Sequence, residues 1–75
     1  MRSMHTLKSG EKGRVVSLHV NARMKQRLFD IGLIEGTEVV SLQKSPLGDP
    51  TAYFICGSVI VLRKQDAAMI FLESE

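Results

Sequence analysis

Seventy-five residues allow one small domain, which buries only about 60–65% of the surface its unfolded chain exposes. An apolar share of 44% beside 24% charged residues of both signs belongs to a globular chain and excludes disorder. The net charge of +2 comes from scattered bases. Arg23, Lys25 and Arg27 are the nearest thing to a cluster, and their alternation spreads them over different faces of a helix. That is the pattern of a solvated surface rather than a nucleic-acid patch.

The first six residues read as a loose start without an apolar leader, and Leu7 to Gly13 as turn material with two glycines available for positive φ. Arg14 to Val20 follows as a strand, with Val16, Leu18 and Val20 alternating against Val15, Ser17 and His19. Asn21 then caps the one convincing helix. Met24, Leu28 and Ile31 recur at i, i+4 and i+7 as its inward stripe, and Gly32 closes it, with Leu33 folding back as the usual apolar contact. Gly36 turns the chain again into a second strand, Thr37 to Gln43.

Ser45 to Pro50 is the strongest loop signal, because two prolines, a glycine and an aspartate do not fit a central strand. Thr51 to Cys56 is a third strand, turned by Gly57 and Ser58 into a fourth, Val59 to Arg63. Cys56 is placed in that third strand as a buried, inert thiol, and a single cysteine fits a reducing compartment. Lys64 to Ala68 reads as one turn of helix, and Met69 to Glu73 as the fifth strand. No apolar run approaches a membrane span, so a soluble, cytoplasmic protein is expected.

About five short strands with one inserted α-helix predict a mainly β fold, a small, partly open barrel. SH3-like and OB-like barrels both fit, and the even spacing of the last three strands favours the SH3-like one. Apolar residues fall on both faces of the last strands, so Val59, Val61, Met69 and Phe71 are expected outside, as lone exposed residues or as one docking or self-association patch.

The residue types present predict no enzyme. Two histidines, one cysteine and scattered carboxylates form no Ser/His/Asp or Cys/His arrangement, and the glycines lack phosphate-loop spacing. His5 and His19 have no ligand type two or four residues on, so neither a metal site nor a cofactor is expected. Asp49, placed before a proline, is of the type that bonds backbone N–H groups and fixes a turn. Four aromatic residues without a tryptophan make a poor stacking platform for nucleic acid. Protein–protein contact remains, with two anchors: Leu47 at the tip of the proline loop, and Phe29. Phe29 sits about 140° around the helix from Met24. Each can equally cover its own loop or the open end of the barrel.

Three segments carry a resemblance. Arg27 to Val39 resembles the "RLxxLGLxPGxxV" core of the ferrous iron transport protein A (FeoA) family. Pro46-Leu47-Gly48-Asp49-Pro50 looks like that family's "PxGDP" loop, and Gly57 to Ile70 like its closing "GxxxxLRxxxAxxI" segment. Leu7 to Val16 also fits, so the likeness spans almost the whole chain. Phe29-Asp30-Ile31 and Glu35 depart from the commoner residues without breaking the helix stop or the turn. The resemblance implies one SH3-like domain over residues 1–75, an accessory protein that binds the cytosolic GTP-binding part of a ferrous iron transporter of the FeoB type. Phe29, Leu33, Leu47, Gly48 and Asp49 form the expected contact region. The alternative is a metal- or ligand-responsive sensor domain acting alone or as a homo-oligomer.

Overall fold

The helix α1, Ala22–Asp30, has both ends closed by the residues its sequence supplies. In the computed structural model, which describes residues 2–44, 46 and 48–73, the Asn21 side chain accepts the Met24 N–H at 2.8 Å. At the other end Gly32 takes φ +92°, a region open to it because it lacks a Cβ. Its N–H then reaches the Phe29 carbonyl at 3.0 Å and the Leu33 N–H the Leu28 carbonyl at 2.8 Å. This pair of bonds is a Schellman closure, and it swings Leu33 back beneath the helix. The inward stripe is narrower than its spacing predicts. Leu28 is buried and Met24 packs partly on the core, but Ile31 is the capping residue and stays 37% exposed.

Six antiparallel strands surround this corner: β1 Arg2–Ser3, β2 Lys12–Leu18, β3 Glu38–Lys44, β4 Thr51–Ile55, β5 Ser58–Leu62 and β6 Ile70–Leu72. They form one open sheet in the order β1-β6-β2-β3-β4-β5. A short helix α2, Lys64–Ala67, links β5 to β6. The mainly β class is as expected, with one more strand. Residues 2–6 are not a loose start. Arg2 and Ser3 pair with Leu72 and Phe71, and a 3₁₀ turn over Met4–Thr6 drives Met4 fully into the core. One methionine among polar neighbours has no period to announce it.

The core gathers Met4, Leu7, Val15, Leu28, Leu33, Val39, Tyr53, Ile55, Leu62, Ala67, Ile70 and Leu72. Along β4 the alternation is clean, with Thr51, Tyr53 and Ile55 inward and Ala52 and Phe54 outward. Along β2 it is not, because a register shift between Val15 and Ser17 lets both Val15 and Leu18 reach the interior. Gly13 lies inside β2 rather than in a turn, and its φ is not positive. Its requirement is space: a Cβ there would stand 2.8 Å from Leu72 Cδ1.

Two further expectations change. Cys56 is not a buried strand residue. It occupies an exposed two-residue turn with Gly57, at φ +50° and +81°, which joins β4 to β5. Positive φ at both central residues is the signature of a hairpin turn whose twist matches its strands. Val59, Val61 and Met69 are outside as expected, but within the sheet they do not make one patch with Phe71. Strands β5 and β6 are separated in the order by β2, β3 and β4, and Phe71 carries the His19 ring edge-on at 5.2 Å.

Candidate docking groove

The turn that ends α1 also builds an apolar depression on the surface. Leu33, at 1% exposure, forms its floor, while Phe29 and Ile34 rise beside it, 61% and 42% exposed. Leu18 from β2 also lines it, and Lys25 and Glu35 supply one charge of each sign. The turn beside the groove is fixed by Thr37, whose hydroxyl donates to the Gly32 carbonyl at 2.9 Å and accepts the Ile34 N–H at 3.2 Å. Gly36 and Thr37 are tied to β2 in turn, with Gly36 N–H on the Val15 carbonyl at 2.8 Å and Val15 N–H on the Thr37 carbonyl at 2.9 Å. An apolar floor beside charged groups is the anatomy of a protein contact, and a volume of about 260 Å³ is below the usual range for small-molecule pockets.

Of the residues singled out from sequence, the groove brings together Phe29 and Leu33. Leu33 supports it from beneath, because the helix closure turns its side chain into the core. Gly48 and Asp49 are exposed elsewhere, and Leu47 lies outside the described residues. Asp49 does what its type suggests, on a distant partner: its Oδ1 accepts the Lys64 N–H at 2.7 Å and so caps α2 from fifteen residues away. Leu18 and Ile34 were not singled out from sequence. Ile34 follows directly on Leu33 past the helix-closing glycine, which was a usable signal, whereas Leu18, partly packed on the core, lines the groove from the end of β2 beyond its irregular pairing, where alternation does not announce it.

Several ionisable groups take part in local structure. Glu11 accepts the Lys8 N–H at 2.7 Å and pairs with Arg2 at 3.4 Å, and the backbone bond first, then Arg2, holds its carboxyl below the usual range. Burial pushes the Tyr53 phenol up, with the Asp49 charge adding to it and the Thr51 hydroxyl opposing. Each histidine ring is engaged by a hydroxyl, His5 Nδ1 with Ser3 Oγ at 2.8 Å and His19 Nε2 with Ser17 Oγ at 3.1 Å. Among the described residues no three His, Cys, Asp or Glu side chains gather as a metal site would require. Nor is any helix there long and apolar enough to cross a membrane.

A small antiparallel sheet folded around one capped helix defines a mainly β, SH3-like fold. The family model for the FeoA domain matches residues 2–74, and the chain belongs to that family. It is 30% identical over 67 residues to the Fe(2+) transport protein A/Fe(2+) transporter FeoB fusion protein of Porphyromonas gingivalis, covering 89% of this chain and 8% of that protein. The chain thus spans less than a tenth of that curated relative. The solution structure of the FeoA protein from Chlorobium tepidum superposes with a TM-score of 0.90 at 30% identity, over 93% of this chain and 67% of that one. The zinc complex of Stenotrophomonas maltophilia FeoA, described as a prokaryotic SH3 domain protein, superposes at 0.83 and 23% identity over 97% and 91% of the two chains, a likeness of fold.

Proposed function

We propose that this chain is a non-enzymatic accessory module of ferrous iron uptake, which docks on the cytosolic GTP-binding part of a FeoB-type transporter. The observation that carries this reading is the Porphyromonas gingivalis relative, where a matching segment and the transporter share one polypeptide. Fusion holds two partners at high effective concentration, an arrangement that serves domains whose separate forms must meet. The groove supplies the means: Phe29 as a protruding anchor, Ile34 and Leu18 as further lining, and Lys25 and Glu35 to set orientation. The Leu47–Asp49 loop is the second candidate contact. Binding alters transport only through a difference in affinity between two states of the transporter, such as its GDP and GTP forms. A cytoplasmic location follows from that partner.

Titration calorimetry against the transporter's cytosolic part, with GDP and with a GTP analogue, tests the reading. Saturable binding that Phe29→Asp abolishes and an exposed control substitution spares is the expected result. The same titration with Leu47→Glu decides whether the proline loop shares the interface. No binding in either nucleotide state overturns the reading.

A further inference from the structure

A second depression joins α1 to the free edge of the sheet. β5 ends the strand order, pairs with β4 in unbroken register, and among the described residues has no strand on its far side. Met24, Leu28 and Ile31 of α1 line a space of about 380 Å³ together with Ile60, Val61 and Leu62 of β5. Successive side chains of a strand point to opposite faces, so three consecutive residues line one depression only where it runs along the strand's edge. Met24 and Ile60 are only partly buried and Ile31 is 37% exposed, which leaves the groove apolar and open. The edge also offers backbone. The hairpin closes on Ile55 and Ser58, a hydrogen-bonded pair in two-residue turns of this kind. Alternation along the ladder then turns the N–H and C=O of Ile60 to Tyr53 and those of Val59 and Val61 away from β4.

Basic charge prevails around this groove. Arg27 and Arg63, both exposed, line it beside a single acid, Asp66 in the first turn of α2. Among the described residues neither guanidinium has an ion-pair or side-chain hydrogen-bond partner, and the one acid of α1, Asp30, is tied to Gln26 at 3.0 Å. Arg23, one turn before Arg27, and Lys64, directly after Arg63, add the same sign.

We propose that this groove binds an extended acidic segment of another protein, which adds to β5 as a further strand beside α1. The outward groups of Val59 and Val61 select a polypeptide, because they recur at the two-residue interval of a strand and ask for a donor and an acceptor at each. The phosphates of a nucleic acid would suit the arginines but carry no N–H for the valine carbonyls. Carboxylates on the segment meet Arg27 and Arg63, whose planar guanidinium groups match that geometry. Alternate side chains of the segment turn toward Met24, Leu28, Ile31 and Ile60, so apolar residues belong there. A second copy of β5 lacks this chemistry, since the strand holds no acid and two bases follow it. The groove shares no lining residue with the one at Phe29 and Leu33, so the site stands apart from the transporter reading.

NMR titration with a capped heptapeptide alternating valine and glutamate tests the site. Saturable shifts along β5 and the Met24–Ile31 face of α1 are expected, with slowed exchange of the Val59 and Val61 amides. The matching valine–lysine peptide should bind at least about tenfold more weakly, and Arg27→Glu combined with Arg63→Glu should reverse that preference. Val61→Pro removes one outward N–H while keeping the bonds to β4, and should weaken the acidic peptide by a similar factor; Phe29→Asp should leave it unchanged. No shift at millimolar acidic peptide, or equal binding of the two peptides, overturns the proposal. So does protection of Val59 and Val61 by protein concentration alone, or an oligonucleotide that binds the groove where the acidic peptide does not.

Discussion

The thiol of Cys56 rests on the helix-closing glycine: its Sγ donates to the Gly32 carbonyl at 3.4 Å and would lie 2.8 Å from a Cβ at that position. Two residues twenty-four apart thereby join the end of α1 to the β4–β5 hairpin. Gly32→Ala meets two obstacles at once, a left-handed backbone and the sulfur. It is expected to cost about 1–3 kcal/mol, read as a lower urea midpoint. Adding Cys56→Gly removes the contact but not the backbone strain, so the double variant should recover only part of the loss.

Phe29 and Leu33 are expected to separate binding from stability. Leu33→Ala empties a buried site and should cost about 2–5 kcal/mol in chemical unfolding. Phe29→Ala removes a mostly exposed ring and should change stability by no more than about 0.5 kcal/mol, while calorimetry with the transporter's cytosolic part shows the loss. A large destabilisation by Phe29→Ala would make the ring a cover for the barrel end instead of an anchor.

Asp49 acts as an N-terminal cap on α2 from outside the helix. Asp49→Ala leaves the Lys64 N–H without that partner and should cost about 1 kcal/mol. Amide exchange at Lys64 should accelerate in the variant more than exchange in β2 or β3, because the lost bond is local.

Tyr53 is the single tyrosine of a chain without tryptophan, so its ionisation can be followed directly by ultraviolet absorbance. Its folded pKa is raised, chiefly by burial, so the unfolded chain releases the phenolic proton first as pH rises. The phenol's contribution is therefore complete below its ordinary value of about 10 and is lost as pH climbs through the higher folded value. Tyr53→Phe should remove that part of the alkaline fall in Tm. A phenol that titrates at its ordinary value in the native protein would contradict the burial.

Local signals were legible in the sequence because their causes lie within a few residues of one another. Asn21 reaches Met24 across one turn, Gly32 and Leu33 close the same helix they follow, and strand alternation in β4 repeats every second residue. These were enough for the mainly β class, the inserted helix and Phe29 as an outward residue. The family motif came from the same stretches.

What only the tertiary structure decided concerns residues whose surroundings come from far along the chain. Met4 is buried because β1 finds β6, almost the whole chain away, and no pattern in residues 2–6 encodes that pairing. Ile31 has the spacing of a core residue yet stays partly exposed, because the helix closes on it and Leu33 takes the interior place. Cys56 leaves its apolar run for the turn, since β4 and β5 pair in the register that sets Ile55 against Ser58. Asp49 announces a backbone-binding residue by type, but which N–H it meets depends on where α2 lands. By itself the sequence determined where the chain turns and which faces are apolar. The packing of distant strands decided which of those faces are covered, because burial is a property of neighbours and not of the residue.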